Sequence, residues 1–558
     1  MKLAGFTLAL AGIFAGSALG QAPTVGGLLN NYSFTLPGLP NYGIAQGSIF
    51  VIYGTNFTTS QSELGLQYPP TTPLGGVSIS VTVNGTKTSP PLYYLYPTQI
   101  AAVLPSATPV GTGTLTVTTS AGTSAAFSIQ VVATAFGLLT TNNGTGPVQG
   151  YDASINPNNP YILFNFTTAA NPGDVLELWG SGLGPVANDA TGVQVSVPVS
   201  VYIGGIAVTP QYAGRSSYTG LDQINVEVPS GVTGCYISVV VQAGNLVSNF
   251  GTLPVAAKGS RTCSDANNPL TSSILSGITE SGTFSIGVVA LNESTTPPQS
   301  VDGIVISPGG TTDIGSAGFL KITADQLNSG AYATASLGSC VVSFYNASAS
   351  SQSAPTLFNF TFLNAGPDVN INGPDGTIAM PLNTQTIEGI TYYGYSTPSS
   401  DTSFIPAAGG TFNFDNGSGG PDVGSFTAQL KLTSPLVWSN MSTISTVTRA
   451  NGLTVNWTGG ESGTYVGITG LSVGFITPGD VSSLVVGTFT CEAPVGPGTF
   501  TVPPAVLLEL PVSASIEGIS FSSLALSNYT VPVTFKASGL DLGLAEAIFE
   551  TSTTVTYQ

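Results

Sequence analysis

The 558-residue sequence contains no histidine. That absence removes Ser-His-Asp and Cys-His nucleophile systems, together with every metal site built on imidazole. Charge is nearly as scarce, since Asp, Glu, Lys and Arg make up 6% of the chain where globular domains carry about 25%. Its nine cations are scattered, so there is no basic patch to neutralise phosphates and release counterions, and nucleic-acid binding is not expected. No Ser lies three residues before any Lys, and no G-x-x-x-x-G-K-[ST] loop occurs, which argues against Ser-Lys hydrolases and nucleotide chemistry. No C-x-x-C pair is present, which weakens a zinc or redox reading. Beyond the N-terminus no run of 18 apolar residues occurs, so no membrane span is expected in the mature chain.

What is present reads as an exported β protein. Residues 1–20 (MKLAGFTLALAGIFAGSALG) combine one Lys, an apolar run and a small-residue site, the pattern of a secretory signal cut before Gln21. Four cysteines fit an oxidising compartment and two disulfides. Of three possible pairings, Cys235 with Cys263 and Cys340 with Cys491 are favoured. Hydrophobic residues at 42% promise buried cores, and the length allows about three to five domains. A net charge of −18 serves solubility more readily than cation binding.

The first half contains a near-repeat. Gly47 to Phe57 (GSIFVIYGTNF) returns as Gly173 to Leu183 (GDVLELWGSGL), and each copy runs on to a Gln-Ile-x-x-x-x-Pro element, from Gln99 to Pro105 and from Gln223 to Pro229. A period this long means duplicated domains rather than a solenoid, whose repeats span roughly 20 to 50 residues. Val77, Ile79, Val81 and Val83 alternate with polar residues, as do Val193 to Ile203 with Pro198 at an edge or bulge, and Thr114 to Thr118 and Ile237 to Val241 are further strands. The glycines of the repeat, Gly54 and Gly180, are expected at a sharp bend or a positive φ. Gln99 and Gln223 are expected to satisfy loop backbone groups.

The Y-G-T-N-F block followed by L-G-G-V-S-I-S-V-T-V-N-G resembles the IPT/TIG class of immunoglobulin-like domains. With P-T-Q-I-A-A-V-L-P, P-G-D-V-L-E-L-W-G-S-G-L-G-P and Y-T-G-L-D-Q-I-N-V-E-V-P, residues 25–256 look like a paired module recurrent in exported proteins of Acidobacteria. The resemblance implies immunoglobulin-like sandwiches and a secreted or surface role, with no catalytic residues to carry over. Leu453 to Gly460 and Gly496 to Leu510 resemble, more weakly, a C-terminal β region that accompanies that module.

The expected organisation is a signal peptide (1–20), two sandwiches (21–133 and 134–257), a linker (258–272), a third β domain (273–362) and a C-terminal β domain (363–558). A short helix is expected at Thr323 to Leu327, and the apolar Pro503 to Leu510 run is expected as a buried strand or connector. Asp415, Asp422 and Asp375 lie in Gly-rich turns that could offer oxygens to calcium, although Asn-Gly and Asp-Gly pairs also mark plain β turns. The carboxylates Asp174, Glu177, Asp222 and Glu227 are the candidates for paired-acid glycoside chemistry, the one catalytic class the composition leaves open. Tyr93, Tyr94, Tyr96, Tyr212 and Tyr218 are candidate interface residues. There are twelve N-x-[ST] sequons, among them Asn56, Asn165, Asn359 and Asn456. The expected function is a secreted or cell-surface binding or structural protein, non-catalytic, that meets an extracellular protein or a polysaccharide. The alternative is a dedicated carbohydrate-binding module, and a carboxylate-dependent enzyme ranks behind both.

Overall fold

The fold is that of a computed structural model, which describes residues 21–558 except 64–72, 153, 156–162, 190, 266–269, 302–303, 329–334, 347–360, 388–389, 399–402, 478, 481–482 and 517–518. The leader expected over 1–20 and the sequon at Asn359 fall outside the described residues. The rest is almost entirely β, built as packed sheets.

In the first sandwich one sheet runs in the order Thr24–Asn30, Ile49–Thr55, Gln99–Val103, Leu92–Leu95 and Ser62–Glu63. The facing sheet runs Ile44–Ala45, Phe127–Val132, Gly111–Thr119, Ser78–Val83 and Thr86–Thr88. Alternation fixes the facing: Ile79, Val81 and Val83 join Phe50, Ile52, Ile100 and Leu115 in the core, while Ser78, Ser80 and Thr82 turn outward. The second sandwich repeats the plan around Leu176, Leu178, Ile224, Val226, Val239 and Val241. Its strand in the alternating 193–203 stretch is Val199–Ile203, so Pro198 precedes the strand and removes no ladder hydrogen bond.

The two sandwiches are joined through buried polar contacts. Asn30 Nδ2 donates to the carbonyls of Ala135 (3.0 Å) and Ser181 (3.2 Å). Ser181 Oγ accepts from the Ile49 N–H (2.8 Å) and donates to Gly220 O (2.6 Å). Asp189 takes the N–H of Ser106 at 3.0 Å and also its hydroxyl. At the centre Arg215 Nη1 meets Asp222 Oδ1 at 2.6 Å, with side chains 1% and 0% exposed. The other Asp222 oxygen accepts the N–H groups of Gly182 and Leu183, both at 2.8 Å.

The remaining chain corrects the expected domain division. A 14-stranded sheet crosses the 362/363 boundary. Its Thr283–Thr296 strand pairs antiparallel with Gly310–Thr323 and parallel with Leu542–Thr554, more than 240 residues away. One core gathers Phe319, Phe412, Phe414 and Phe426, the other Val466, Ile468, Phe489, Leu526 and Tyr557. Nor is 258–272 a free linker. Cys263 is bonded to Cys235, its N–H donates to Phe166 O, and Asn171 Nδ2 donates to Ser260 O, so the segment lies against the second sandwich. A helix follows at Ser272–Ser281, capped by Thr271 Oγ1 and ended by Gly282 at φ 73°. The second disulfide, Cys340–Cys491, joins directly paired residues of neighbouring strands. The short helix expected near Thr323 is Ala324–Asn328, with Thr323 and Gln326 exchanging side-chain-to-backbone hydrogen bonds as a capping box.

The Pro503–Leu510 run is also corrected, because Pro504–Glu509 is a helix with Pro at its first position. Glu509 is fully buried, and Asn41 Nδ2 lies 3.1 and 3.2 Å from its two carboxyl oxygens. Burial pushes its carboxyl well above the usual range, and the Asn41 bond only partly offsets this. A carboxyl raised in the folded state contributes its full stability below the unfolded value near 4.5, and that contribution is lost as pH rises through the folded value. Glu509→Gln is therefore expected to match the native protein near pH 4. It should exceed it at pH 8 by about 1–3 kcal/mol, the usual cost of a poorly satisfied buried group. Urea unfolding at the two pH values checks this, and parallel pH profiles would contradict it.

Outward positions pair hydroxyls across strands: Thr24 with Thr55 (2.8 Å), Thr118 with Thr123 (3.0 Å), Thr295 with Thr311 (2.9 Å) and Thr454 with Thr501 (2.9 Å). Against these stand three ion pairs among the described residues.

Candidate functional site

The repeated motif builds the candidate surface. Gly54 lies inside the Ile49–Thr55 strand without a positive φ, which corrects the expectation of a bend there. Glycine is needed because a Cβ would run into the Thr24 carbonyl and the Phe57 ring, and at Gly180 into the Phe136 ring and the Gly137 carbonyl. The positive φ falls two residues later, at Asn56 (60°) and Gly182 (107°), letting Phe57 and Leu183 turn back into their cores.

Just before each glycine the outward residue is aromatic, Tyr53 in the first copy and Trp179 in the second, both partly exposed. Each stands directly across the ladder from the glutamine of the second motif element, Tyr53 beside Gln99 and Trp179 beside Gln223. These glutamines lie within strands and bond side chains rather than loop backbone. Gln99 Nε2 donates to Tyr94 Oη (2.5 Å) and Gln223 Nε2 to Asn225 Oδ1 (2.9 Å).

Around Tyr53 the first sheet adds Tyr93, Tyr94 and Tyr96. The ladder register shifts between Leu92 and Tyr94, an irregularity that lets Tyr93 and Tyr94 both pack on the outer-face residues Ile49, Ala101 and Val103. The Tyr94 and Tyr96 rings lie 5.1 Å apart, centroid to centroid. Tyr218, 39% exposed, comes from the second sandwich on the loop whose Gly220 packs against Ile49 and Val103. Tyr212 is placed apart from that group. It sits across the second sheet from Asn225 and donates to Arg215 O at 2.6 Å. Four of the five tyrosines singled out in the sequence thus gather near the junction, and Tyr53 and Trp179 extend the surface on either side of it.

The strands that build this surface present no outward cation, and their outward charges are the carboxyls of Glu177 and Glu227. Burial, then the neighbouring Tyr218 phenol, pushes Tyr93 up to about 12. Burial and Tyr53 push Tyr94 up to about 12 against the Gln99 hydrogen bond. Glu177, on the outer face two residues before Trp179, accepts the Tyr151 hydroxyl at 2.6 Å, and burial raises its carboxyl despite that bond. Tyr151 also lies 6.4 Å from the Trp179 ring. The strands that carry these rings hold one cation, Arg215, and it is sealed inside.

Two of the other candidate acids lie in ion pairs, Asp174 in one that it shares with Asp152. Asp222 is paired with Arg215, and Asp174 with Arg261 at 2.6 Å. Burial acts to raise Asp174, but hydrogen bonds with Asp152 and Arg261 outweigh it and hold the carboxyl low. Glu227 is exposed at the strand end opposite Val175. Of the calcium candidates, Asp415 accepts from Asn370, Asn372 and the Gly417 N–H, Asp422 accepts from the Asn364 N–H, and Asp375 lies at a hairpin turn. Among the described residues no group of three or more His, Cys, Asp or Glu is placed to hold a metal, and no helix is long and apolar enough to cross a membrane. A cleft of about 420 Å³ opens beside Trp457, Gly459, Gly460 and Gly496. Trp457 is only 3% exposed there, and its indole N–H is spent on Val495 O (2.8 Å), so the cleft presents no open ring face.

No family model and no curated protein matches the sequence. Among solved structures the chain is similar to the plexin A4 extracellular region at 11% identity and TM-score 0.17, covering 88% of this chain and 30% of that one. It is also similar to two SGBP-B proteins. One, from a Bacteroides ovatus mixed-linkage glucan utilization locus and in complex with a heptasaccharide, shows 12% identity and TM-score 0.21 over 51% of this chain and 69% of that one. The other, from a Bacteroides uniformis xyloglucan utilization locus, shows 9% identity and TM-score 0.15 over 86% and 97%. The chain spans less than a third of the plexin chains it matches. At these identities and TM-scores none of them carries a residue role, a ligand or a domain arrangement over to this chain.

Proposed function

We propose that this is an exported, non-catalytic binding protein, its first half a paired IPT/TIG-type module, which engages an extracellular protein or polysaccharide. The observation that carries the reading is the aromatic, cation-free surface at the junction of the two sandwiches: Tyr53, Tyr93, Tyr94, Tyr96, Tyr218 and Trp179, edged by Gln99 and Gln223. Rings with a polar rim supply contact area at low conformational cost, which suits recognition better than turnover. Two disulfides support an oxidising compartment outside the cytoplasm. Of the candidate acids, Asp222 is paired with Arg215, Glu177 accepts from Tyr151, Glu227 is exposed, and Asp174 is hydrogen-bonded to Asp152 with Arg261 against both.

The test is a binding screen of the purified protein against immobilised polysaccharides and purified extracellular proteins, with calcium and with chelator. Saturable binding that falls about tenfold or more in Tyr94→Ala/Tyr96→Ala is expected. No saturable binding to any probe, or binding indifferent to these two residues, would remove this reading.

A further inference from the structure

The aromatic–glutamine pair occurs twice, once per sandwich, at collinear positions of the repeat. We propose that Tyr53–Gln99 and Trp179–Gln223 are two equivalent subsites for one neutral polysaccharide chain, which crosses the junction between the sandwiches. This rests on the binding reading above and names its ligand class.

Three observations carry it. Each site places a partly exposed ring directly beside a partly exposed amide on a rigid strand pair. A ring face stacks on the C–H face of a sugar while an amide exchanges hydrogen bonds with its hydroxyls, a combination suited to uncharged glycans. The charge fits as well: no Lys or Arg faces outward from these strands to hold an anionic polymer, and the acid nearest Trp179, Glu177, is engaged by the Tyr151 hydroxyl. Finally, the surface continues the sandwich junction. Tyr53 lies four strand residues from Ile49 and Trp179 two from Ser181, and the Ile49 N–H and Ser181 Oγ are 2.8 Å apart. A strand rise of about 3.3 Å per residue then puts the backbones of the two aromatic residues within roughly 25 Å of each other. A single oligosaccharide can span that distance, with the gain in affinity that linked sites give.

The structure also supplies the probe. Of the three tryptophans, Trp438 and Trp457 are 7% and 3% exposed, whereas Trp179 is partly open. Indole fluorescence that responds to ligand should therefore come from Trp179. The experiment is calorimetric and fluorescence titration of the whole protein with mixed-linkage β-glucan, xyloglucan, galactomannan and starch, then with a ladder of oligosaccharides from the polymer that binds, with alginate as the charged comparison.

The expected result is binding to at least one neutral polymer and not to alginate. Affinity should climb steeply once the oligosaccharide is long enough to reach both rings, and the fluorescence response should vanish in Trp179→Phe. Tyr53→Ala and Trp179→Ala should each cost about tenfold, and together more than a hundredfold. Tyr53→Phe and Trp179→Phe, which keep a ring, should retain most of the affinity. If the Ala variants do not fold, the length dependence and fluorescence of the native protein still decide. Neutral-glycan binding with no change in indole emission, or folded Ala variants with native affinity, would overturn the subsites. Saturable binding to protein probes alone would overturn this inference and leave the general binding reading standing. Silence toward every probe would overturn both.

Discussion

Arg215→Ala is expected to destabilise the protein by about 3–5 kcal/mol, because it leaves the buried Asp222 carboxyl without its counterion, to be held as an unpaired ion or forced to take up a proton. The pair is sealed, with side chains 1% and 0% exposed and a 2.6 Å contact. The hydrogen bonds from Gly182 and Leu183 to the other Asp222 oxygen would persist, and they cannot replace a full positive charge. The damage should spread to the junction, since Arg215 also reaches Gly184 O and lies against Gly47 of the first sandwich. Urea unfolding measures the loss, and the double variant Arg215→Met/Asp222→Leu should recover most of it, because removing both charges leaves no uncompensated ion. A single variant as stable as the native protein would show that water or another group satisfies Asp222.

The double variant Cys340→Ser/Cys491→Ser should lose a comparable amount. The bridge closes a sequence separation of 151, for which chain entropy assigns about 5 kcal/mol, against about 3.5 kcal/mol for the 28-residue separation of Cys235 and Cys263. It also fastens Cys340–Asn346, the strand at one end of the 14-stranded sheet, to the neighbouring Leu484–Pro494 strand. Amide hydrogen exchange should rise first in that end strand, and the thermal midpoint should fall more than for Cys235→Ser/Cys263→Ser. Equal losses for the two double variants would mean that the larger loop is already restrained in the unfolded chain.

Much of this was legible from residue patterns, and the failures share a cause. Period-two alternation placed Ile79, Val81 and Val83 in a core, and the Gly47/Gly173 repeat marked two sandwiches with equivalent strands, because both signals are local. The pairing of Thr283–Thr296 with Leu542–Thr554 leaves no local trace: a strand does not record which distant strand it will meet. The Pro504–Glu509 helix replaces the expected buried strand or connector because a short buried apolar run has no informative period. The Pro at its first position was the usable sign. The helix at Ser272–Ser281 is not among the expected elements, although Thr271 and Gly282, a cap and a stop, were usable signs of it. Tyr93, Tyr94 and Tyr96 were picked out as a cluster, but the register shift that turns Tyr93 to the outer face is invisible in sequence. Arg215 looked like one scattered cation among nine, and no pattern marks it as the partner of Asp222.

The hydroxyl pairs between strands bear on where such a molecule can work. A surface held by charge pairs weakens as ions accumulate around it, since at 0.1 M salt charges more than about 10 Å apart hardly sense one another. Thr24–Thr55, Thr295–Thr311 and Thr454–Thr501 are dipoles in contact, and screening has almost nothing to take from them. The net charge of −18 adds only diffuse self-repulsion, which salt relieves. Ionic strength should therefore leave the folded state untouched or slightly firmer from dilute water to brine, a property that suits the proposed exported role.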